Sequence, residues 1–191
     1  MIKHLGIDLD ALEVIAGEYL LDPLLVASFI CVESSGNPWA WNPEPHYRYL
    51  WDVRKGRPFR PLTVEERASE FPPKDFPAPP GVDPDAEFWA QQASWGLMQL
   101  MGAVARERGF KGSFLTELCT PEVGVWHGCK HLVTYTRRYP DLSDAIAAYN
   151  AGSPRRIASG VYENQGYVDK ILAQHGRLKV GTDELEREVA G

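Results

Sequence analysis

The sequence predicts a mainly α-helical fold that is interrupted by a long irregular segment. Apolar residues recur at helical spacing on both sides of this segment, and 11 of the 15 prolines fall between Pro38 and Pro84. Proline lacks a backbone donor and disfavours helix at the residue before it, so neither regular helix nor central strand is expected there. No run of alternating apolar and polar residues predicts an extensive sheet.

Composition and charge are those of an ordinary globular protein. The 191 residues are 44% hydrophobic and 24% charged, with a net charge of −6. No apolar run reaches the length of a membrane span, and no basic excess is available to bind phosphate groups. We therefore expect a monomer with one domain over residues 1–191, no membrane insertion and no nucleic acid partner.

The first two helices are predicted from apolar spacing and from a capping sequence. Residues 8–20 carry apolar side chains at helical spacing, and Asp22 followed by Pro23 is typical of a helix start. Poor helix formers lead to Gly36, where this second helix is predicted to stop. Glu33 then lies in its last turn.

Four further helices are predicted after the irregular segment, over residues 102–108, 120–139, 145–149 and 167–174. Pro140 is predicted to end the second of these. Ser143 is predicted to cap the third, which ends at Gly152. The charged tail, about residues 179–191, is expected to fray.

Glu33 has surroundings that favour acid–base chemistry. It follows four apolar residues, and it lies near the negative end of the helix dipole. Both effects disfavour the ionised carboxylate and raise its pKa. Such a group can hold a proton near neutral pH and give it to a leaving oxygen. The alternative is a solvated residue that happens to end a helix.

Four short motifs occur in a characteristic order along the chain. They are Val32-Glu33-Ser34-Ser35-Gly36-Asn37-Pro38, Ser94-Trp95-Gly96-Leu97-Met98-Gln99, Ala148-Tyr149-Asn150-Ala151-Gly152 and Gln165-Gly166-Tyr167-Val168. The set resembles the motifs of the soluble lytic transglycosylases, whose domain is related to goose-type lysozyme, and it covers residues 20–175. The resemblance implies a lysozyme-like, mainly α domain.

The resemblance also implies an activity, with peptidoglycan glycan strands as the partner and with no cofactor. The bond cleaved would be the β-1,4 linkage between N-acetylmuramic acid and N-acetylglucosamine. Glu33 would protonate the glycosidic oxygen and then, as a base, take the proton of the muramic 6-hydroxyl, leaving a 1,6-anhydro end. Glycosidases usually need two carboxylates, but this route needs one.

Six residues are implied by the motifs to bind substrate or to support the acid: Ser34, Ser94, Gln99, Tyr149, Asn150 and Tyr167. The tyrosine matched by Tyr149 would contact Glu33 and hold its carboxyl in one rotamer. Asn150 and Gln99 would each offer a donor and an acceptor to a sugar. Tyr167 is preceded by residues that depart from the family's usual form.

The other motif residues are expected to shape the backbone or to pack. Gly96 and Gly152 are predicted to allow close backbone approach. Leu97 and Met98 are predicted to pack in the core.

The insertion, about residues 37–92, is the chief departure from the family. Together with the residues up to Trp95 it holds 11 of the 21 aromatic side chains. Two interpretations stay open: these rings stack on sugars and wall a glycan groove, or they pack the insertion onto the helices.

Carboxylates of the insertion leave a further alternative open. One of them would be able to position a water, in which case the chain would be a lysozyme-type muramidase on the same fold. The candidates are Glu44, Asp52, Glu65, Glu66, Glu70, Asp75, Asp83, Asp85 and Glu87. A non-catalytic glycan-binding or structural virion protein is the third interpretation.

A metal site is not expected. His127 and His131 have a spacing that can hold zinc, with Cys129 between them. However, the glutamate that follows the first histidine in metalloproteases is absent. A solvated or core-edge histidine pair is therefore favoured.

Origin and place of action are predicted from two features. The aromatic segment at residues 39–49 is similar to one in phage-encoded relatives, and residues 1–10 lack the pattern of a signal peptide. We expect an endolysin made in the host cytoplasm that reaches the cell wall through a holin pore, or an enzyme carried by the virion.

Overall fold

A computed structural model describes residues 5–190, with side chains as far as residue 182. Contacts between residues divide the chain into two compact units. The first comprises the part up to Asn37 together with the part from Gly128, and the second is Pro38–His127. The bounds predicted for the insertion, about residues 37–92, stay a prediction, and the second unit extends beyond them to His127. The single domain over residues 1–191 stays a prediction.

Helices dominate the described residues. They are α1 (Leu9–Glu18), α2 (Pro23–Glu33), α3 (Val64–Ala68), α4 (Pro84–Gln91), α5 (Gly102–Glu107), α6 (Pro121–Arg138), α7 (Leu142–Ala151) and α8 (Gln165–Ala190), with a 3-10 helix at Leu115–Cys119. The strands are β1 (Trp41–Pro43), β2 (Trp51–Asp52), β3 (Arg57–Pro58), β4 (Ala93–Trp95) and β5 (Leu100–Met101). The predicted mainly α fold is confirmed.

The start of α2 is the one that its sequence predicts. The Asp22 carboxylate accepts a hydrogen bond from the Leu24 amide at 2.9 Å, which satisfies a donor that the helix itself leaves unpaired. Pro23 occupies the first turn, where no amide is needed. The helix ends at Glu33, so the predicted position of that residue is confirmed.

The start of α7 and the extent of α8 differ most from the prediction. Ser143 is not the cap of α7, because the Asp141 carboxylate accepts from the Ser143 amide at 2.7 Å and the helix begins at Leu142. The last helix begins at Gln165 and continues to Ala190. The helix predicted over residues 167–174 is therefore part of a longer one, and the fraying of the tail from residue 179 stays a prediction; Gly191 lies outside the described residues.

The first unit packs its helices around α2. This helix contacts α1 and α8, and α7 contacts α8. Phe29 and Ile30 of α2 are fully buried, as are Ile146 of α7 and Ile171 of α8. The end of α2 is therefore held by neighbours on two other helices of the unit.

The second unit contains two small antiparallel sheets. The larger has the order β1-β4-β5, with Trp41 opposite Trp95 and Ser94 opposite Met101. Pro43 lies on β1, an edge strand, where its missing amide is tolerated. The insertion is mostly irregular, as predicted, but it also contains α3 and α4, and α4 uses a proline in its first turn.

Aromatic side chains of the insertion divide into two groups. Phe76 and Phe88 are buried with Leu50 and Leu62 in a core cluster of the second unit. In contrast, indole rings at positions 39, 41 and 89 stay exposed. The phenylalanines of this cluster therefore pack among residues of the insertion itself, whereas the three tryptophans leave much of their surface exposed.

A buried ion pair joins α4 to α5 inside the second unit. The Arg106 guanidinium donates to both carboxylate oxygens of Glu87, at 2.8 and 2.7 Å. Its remaining donors reach the carbonyls of Phe110, Gly112 and Ser113. Both charged groups therefore have hydrogen-bond partners. Without such partners, a buried ion pair would destabilise the fold.

Among residues 5–182, no single helix is long and apolar enough to cross a membrane. Only α1 and α2 taken together reach that length and composition, and they are bent by 114° at the break between them.

Candidate active site

Glu33 is the last residue of α2 and is half-buried. Its Oε1 accepts a hydrogen bond from the Tyr167 hydroxyl at 2.5 Å, between side chains 134 residues apart. Tyr167 lies in the first turn of α8, which packs along α2. Helix packing within the first unit therefore joins the first and fourth motifs.

Burial raises the pKa of Glu33 from 4.5 to about 7. The hydrogen bond from Tyr167 opposes this rise, because it stabilises the carboxylate. The net effect keeps a proton on the carboxyl group near neutral pH. The upward shift predicted from the apolar residues before Glu33 is confirmed in direction and in its main cause.

Two tyrosines of the motifs flank the same buried ring. Phe29, one turn before Glu33 on α2, contacts Tyr149 edge-on at 4.7 Å and Tyr167 at 6.5 Å between ring centroids. Burial, with the charge of Glu33 adding to it, holds the pKa of both phenols well above 10. Both hydroxyls thus stay protonated at neutral pH and are able to donate hydrogen bonds.

Asn150 lies at the exposed end of α7, and its side-chain oxygen already has a partner. Asn164 donates to Asn150 Oδ1 at 3.0 Å and, through the same nitrogen, to the Ala147 carbonyl at 3.0 Å. The Asn150 amide nitrogen bonds to no other residue of the described part. It is therefore available to donate to a ligand.

Ser34 follows Glu33 as the C-cap of α2. Its hydroxyl donates to the Ile30 carbonyl at 3.1 Å, which supplies a partner for one of the last helix carbonyls. The next residue, Ser35, has a positive φ of 54°, an unusual conformation for a non-glycine residue. The chain thus turns sharply just after the glutamate.

Ser94 and Gln99 lie in the second unit and are bonded to each other. The Ser94 hydroxyl donates to Gln99 Oε1 at 2.9 Å, while Gln99 Nε2 donates to the carbonyls of Ala40 and Gly96 at 3.1 and 2.9 Å. Gln99 also has a positive φ of 45°. Its amide therefore fixes the turn between β4 and β5 and ties it to the residue before β1.

The two motif glycines have different roles. A Cβ added at Gly96, where φ is +71°, would lie 2.2 Å from the Leu118 carbonyl oxygen, so the predicted close approach is confirmed there. A Cβ added at Gly152 would have no atom within 4 Å, so the close approach predicted there was wrong. Glycine is needed at this position because the cap of α7 is left-handed, with a φ of +77°. Leu97 and Met98 are buried and pack, as predicted.

His127 and His131 are both buried on α6. The His127 ring packs edge-on against Phe110 and Trp126 of the second unit, and the His131 ring contacts Tyr135 and Tyr149 of the first. Within residues 5–182, no three His, Cys, Asp or Glu side chains are grouped to hold a metal ion.

The structure thus places five predicted site residues in the first unit, Glu33, Ser34, Tyr149, Asn150 and Tyr167, and two in the second, Ser94 and Gln99. Sequence reasoning missed Phe29 and Asn164, which position the motif tyrosines and Asn150. Their positions carried a signal: Phe29 precedes Glu33 by one helical turn, and Asn164 directly precedes the fourth motif.

Comparison with known families gives one match, which includes Glu33 and ends at Tyr167. The family described as "Transglycosylase SLT domain" matches residues 11–167. No curated protein matches the chain. The matched family has a lysozyme-like fold and consists of enzymes that cleave glycosidic bonds of peptidoglycan, which accords with the mainly α structure and with the buried acid at the end of α2. The chain therefore belongs to the SLT transglycosylase domain family.

Proposed function

We propose that the protein is a lytic transglycosylase that cleaves the β-1,4 bond between N-acetylmuramic acid and N-acetylglucosamine and leaves a 1,6-anhydro-muramic end. The observation that carries this proposal is the Glu33 carboxyl group, which burial keeps protonated near pH 7 while Tyr167 binds its Oε1. A protonated carboxyl beside a fixed donor is suited to acid catalysis at a leaving oxygen.

In the first step Glu33 acts as the acid. Because Tyr167 donates to Oε1, the proton of the neutral carboxyl group resides on Oε2. This proton passes to the glycosidic oxygen as the bond from that oxygen to the muramic anomeric carbon breaks. The departing N-acetylglucosamine keeps the proton and the electron pair of the broken bond.

In the second step the same group acts as the base. The carboxylate left by the first step is stabilised by the Tyr167 hydrogen bond, which lowers the pKa of Glu33. It takes the proton of the muramic 6-hydroxyl while that oxygen bonds to the anomeric carbon. The ring closes, Glu33 is protonated again, and neither water nor a protein nucleophile is consumed.

The Glu33 pKa has two causes among the described residues, burial that raises it and the Tyr167 hydrogen bond that lowers it. The carboxylates named as able to position a water lie at residues 44–87, in the second unit. The products of digestion separate the mechanism with one carboxylate from the mechanism with two. A muramidase that positions a water is the alternative outcome of the test below.

The remaining motif residues are given supporting roles in this proposal. Asn150 donates its amide hydrogens to an acetamido or hydroxyl oxygen of the sugar, while Asn164 holds the opposite side of that amide. Tyr149 and Ser34 keep the end of α2 in place. Ser94 and Gln99 act by fixing their own turn, since their side chains are bonded to each other.

The products of peptidoglycan digestion test this function. The wild-type chain is expected to release muropeptides with anhydro ends, each lighter by one water than the product of hydrolysis. Glu33→Gln is expected to release none, whereas Glu163→Gln, which removes an exposed carboxylate of the same unit paired with Arg155, should act normally. Reducing ends from the wild-type chain would indicate the muramidase instead.

A role in phage lysis is the last part of the proposal, and it rests on the aromatic segment that is similar to phage-encoded relatives. The site of action would be the cell wall, reached through a holin pore or from the virion. Bacteria expressing the chain are expected to lyse only when a holin is expressed with it. Normal growth with both proteins present would contradict an endolysin role.

A further inference from the structure

The second unit contains a small aromatic pocket with no assigned role. Its volume is about 250 Å³, below the roughly 300–1,000 Å³ of pockets for drug-sized ligands. We call it the tryptophan pocket, and its principal lining residues are Trp41, Trp89, Trp95, Phe114, Ala86 and Leu115. We propose that this pocket binds one N-acetylhexosamine ring of a glycan strand.

The indole rings are exposed but held in fixed positions. Trp41 is 57% exposed and Trp89 is 42% exposed. Trp95 donates its indole hydrogen to the Ala90 carbonyl at 2.9 Å and lies opposite Trp41 across the β1–β4 pair, with 6.1 Å between ring centroids. Trp89 packs edge-on against the buried Phe88 at 5.2 Å. Rings held in this way can bind a ligand without losing much conformational freedom.

Charge in the lining favours a neutral ligand. Glu87 is the one ionisable residue among those that line the pocket. Its carboxylate is 1% exposed and is neutralised by Arg106 from within the protein. Phosphates and carboxylates would therefore find no partner of opposite charge, whereas an uncharged sugar needs none.

The side chains that line the pocket match the chemical groups of an acetylated sugar. The C–H faces of a pyranose ring can lie on the apolar faces of Trp41 and Trp89. Ala86, Ala90 and Leu115 supply an apolar wall for the methyl group of an acetamide, and the Thr116 hydroxyl supplies a hydrogen-bonding group. The pocket is too small for a helix or strand of a protein partner.

Position along the chain agrees with a glycan ligand. Trp95 lies between Ser94 and Gly96, so the pocket shares a residue with the second of the four motifs. The choice of a glycan as ligand rests on the proposed function. Binding at the pocket does not depend on cleavage, and the two can be tested separately.

Calorimetric titration with tetra-N-acetylchitotetraose tests the pocket. The full chain carrying Glu33→Gln serves as the parent, so that the sugar is not consumed. Adding Trp41→Ala or Trp89→Ala is expected to raise the dissociation constant about tenfold. Trp39→Ala removes an indole that is 75% exposed but lies outside the pocket. This substitution is expected to change the dissociation constant by less than about twofold.

A second variant fills the pocket without removing an indole. Ala86 is exposed on α4, so Ala86→Leu should be accepted by the fold while its side chain occupies the space for the acetamide. It should weaken binding as much as Trp41→Ala does. Cellotetraose, which lacks acetamido groups, should bind the parent more weakly than chitotetraose.

The proposal is overturned if the parent does not bind chitotetraose, or if Trp41→Ala, Trp89→Ala and Ala86→Leu all bind it as the parent does. Equal binding of cellotetraose would overturn the assignment of an acetylated sugar. Failure of the proposed function would instead appear as unchanged product formation by Glu33→Gln, which this titration does not measure.

Discussion

The Tyr167 hydroxyl donates to Glu33 Oε1 at 2.5 Å, so that a phenol on α8 binds the carboxyl group at the end of α2. The bond stabilises the ionised carboxylate, whereas burial stabilises the protonated form. Because the two effects oppose each other, the pKa of Glu33 lies near 7 and not higher. A group that must first give a proton and then take one needs such a balance.

The pH dependence of cleavage follows from the protonation state of the acid. The free enzyme must carry the proton, so kcat/KM should be constant below pH 7 and fall about tenfold per pH unit above it. Turbidity loss of a peptidoglycan suspension, measured at substrate concentrations below KM, gives this profile. An activity that keeps rising between pH 7 and pH 9 would exclude Glu33 as the acid.

Removal of the phenol should shift that profile. Tyr167→Phe deletes the hydrogen bond to Glu33, so kcat/KM should fall roughly ten- to a hundredfold and the alkaline limb should move to higher pH. Tyr162→Phe is a matched control, because it deletes another 2.5 Å phenol–carboxylate bond of the same unit, to Asp144. Equal effects of the two substitutions on kcat/KM would contradict the prediction, because the loss of activity would then not depend on the bond to Glu33.

The free energy of unfolding should depend on pH because of the buried Glu33 carboxyl group. The pKa of Glu33 is raised by folding from 4.5 to about 7, so its contribution to stability is complete below pH 4.5 and is lost as the pH rises through 7. Glu33→Gln should therefore be more stable than wild type at pH 8, by up to about 3 kcal/mol, and nearly equal at pH 4. Urea unfolding at both pH values measures the difference, and a constant difference would contradict it.

The close approach at Gly96 predicts a large loss of stability. Gly96→Ala combines a positive φ with a Cβ placed 2.2 Å from the Leu118 carbonyl, while Gly152→Ala meets only the positive φ. The latter should cost about 1–2 kcal/mol and the former clearly more. Urea unfolding followed by indole fluorescence compares the two variants. Equal losses would mean that the backbone near Leu118 moves aside.

Local sequence was sufficient for those parts of the fold and site that depend on neighbouring residues. Asp22 and Pro23 specify the start of α2, and the apolar residues before Glu33 indicate its raised pKa. Hydrogen bonds between residues that are far apart in the chain could not be predicted from local sequence. Gln99 bonds to Ala40 across 59 positions, and no periodicity reports such a contact. The short bond from Tyr167 to Glu33 could not be predicted either, because that bond depends on how α8 packs along α2.

The protonation of Glu33 can be measured directly by following its carboxyl carbon in a ¹³C NMR titration of the full chain, with the signal assigned by its loss in Glu33→Gln. We predict a midpoint near pH 7, and a higher one in Tyr167→Phe. A midpoint at 4.5 in the wild-type chain would mean that the carboxyl group is ionised at neutrality, and would contradict its role as the acid.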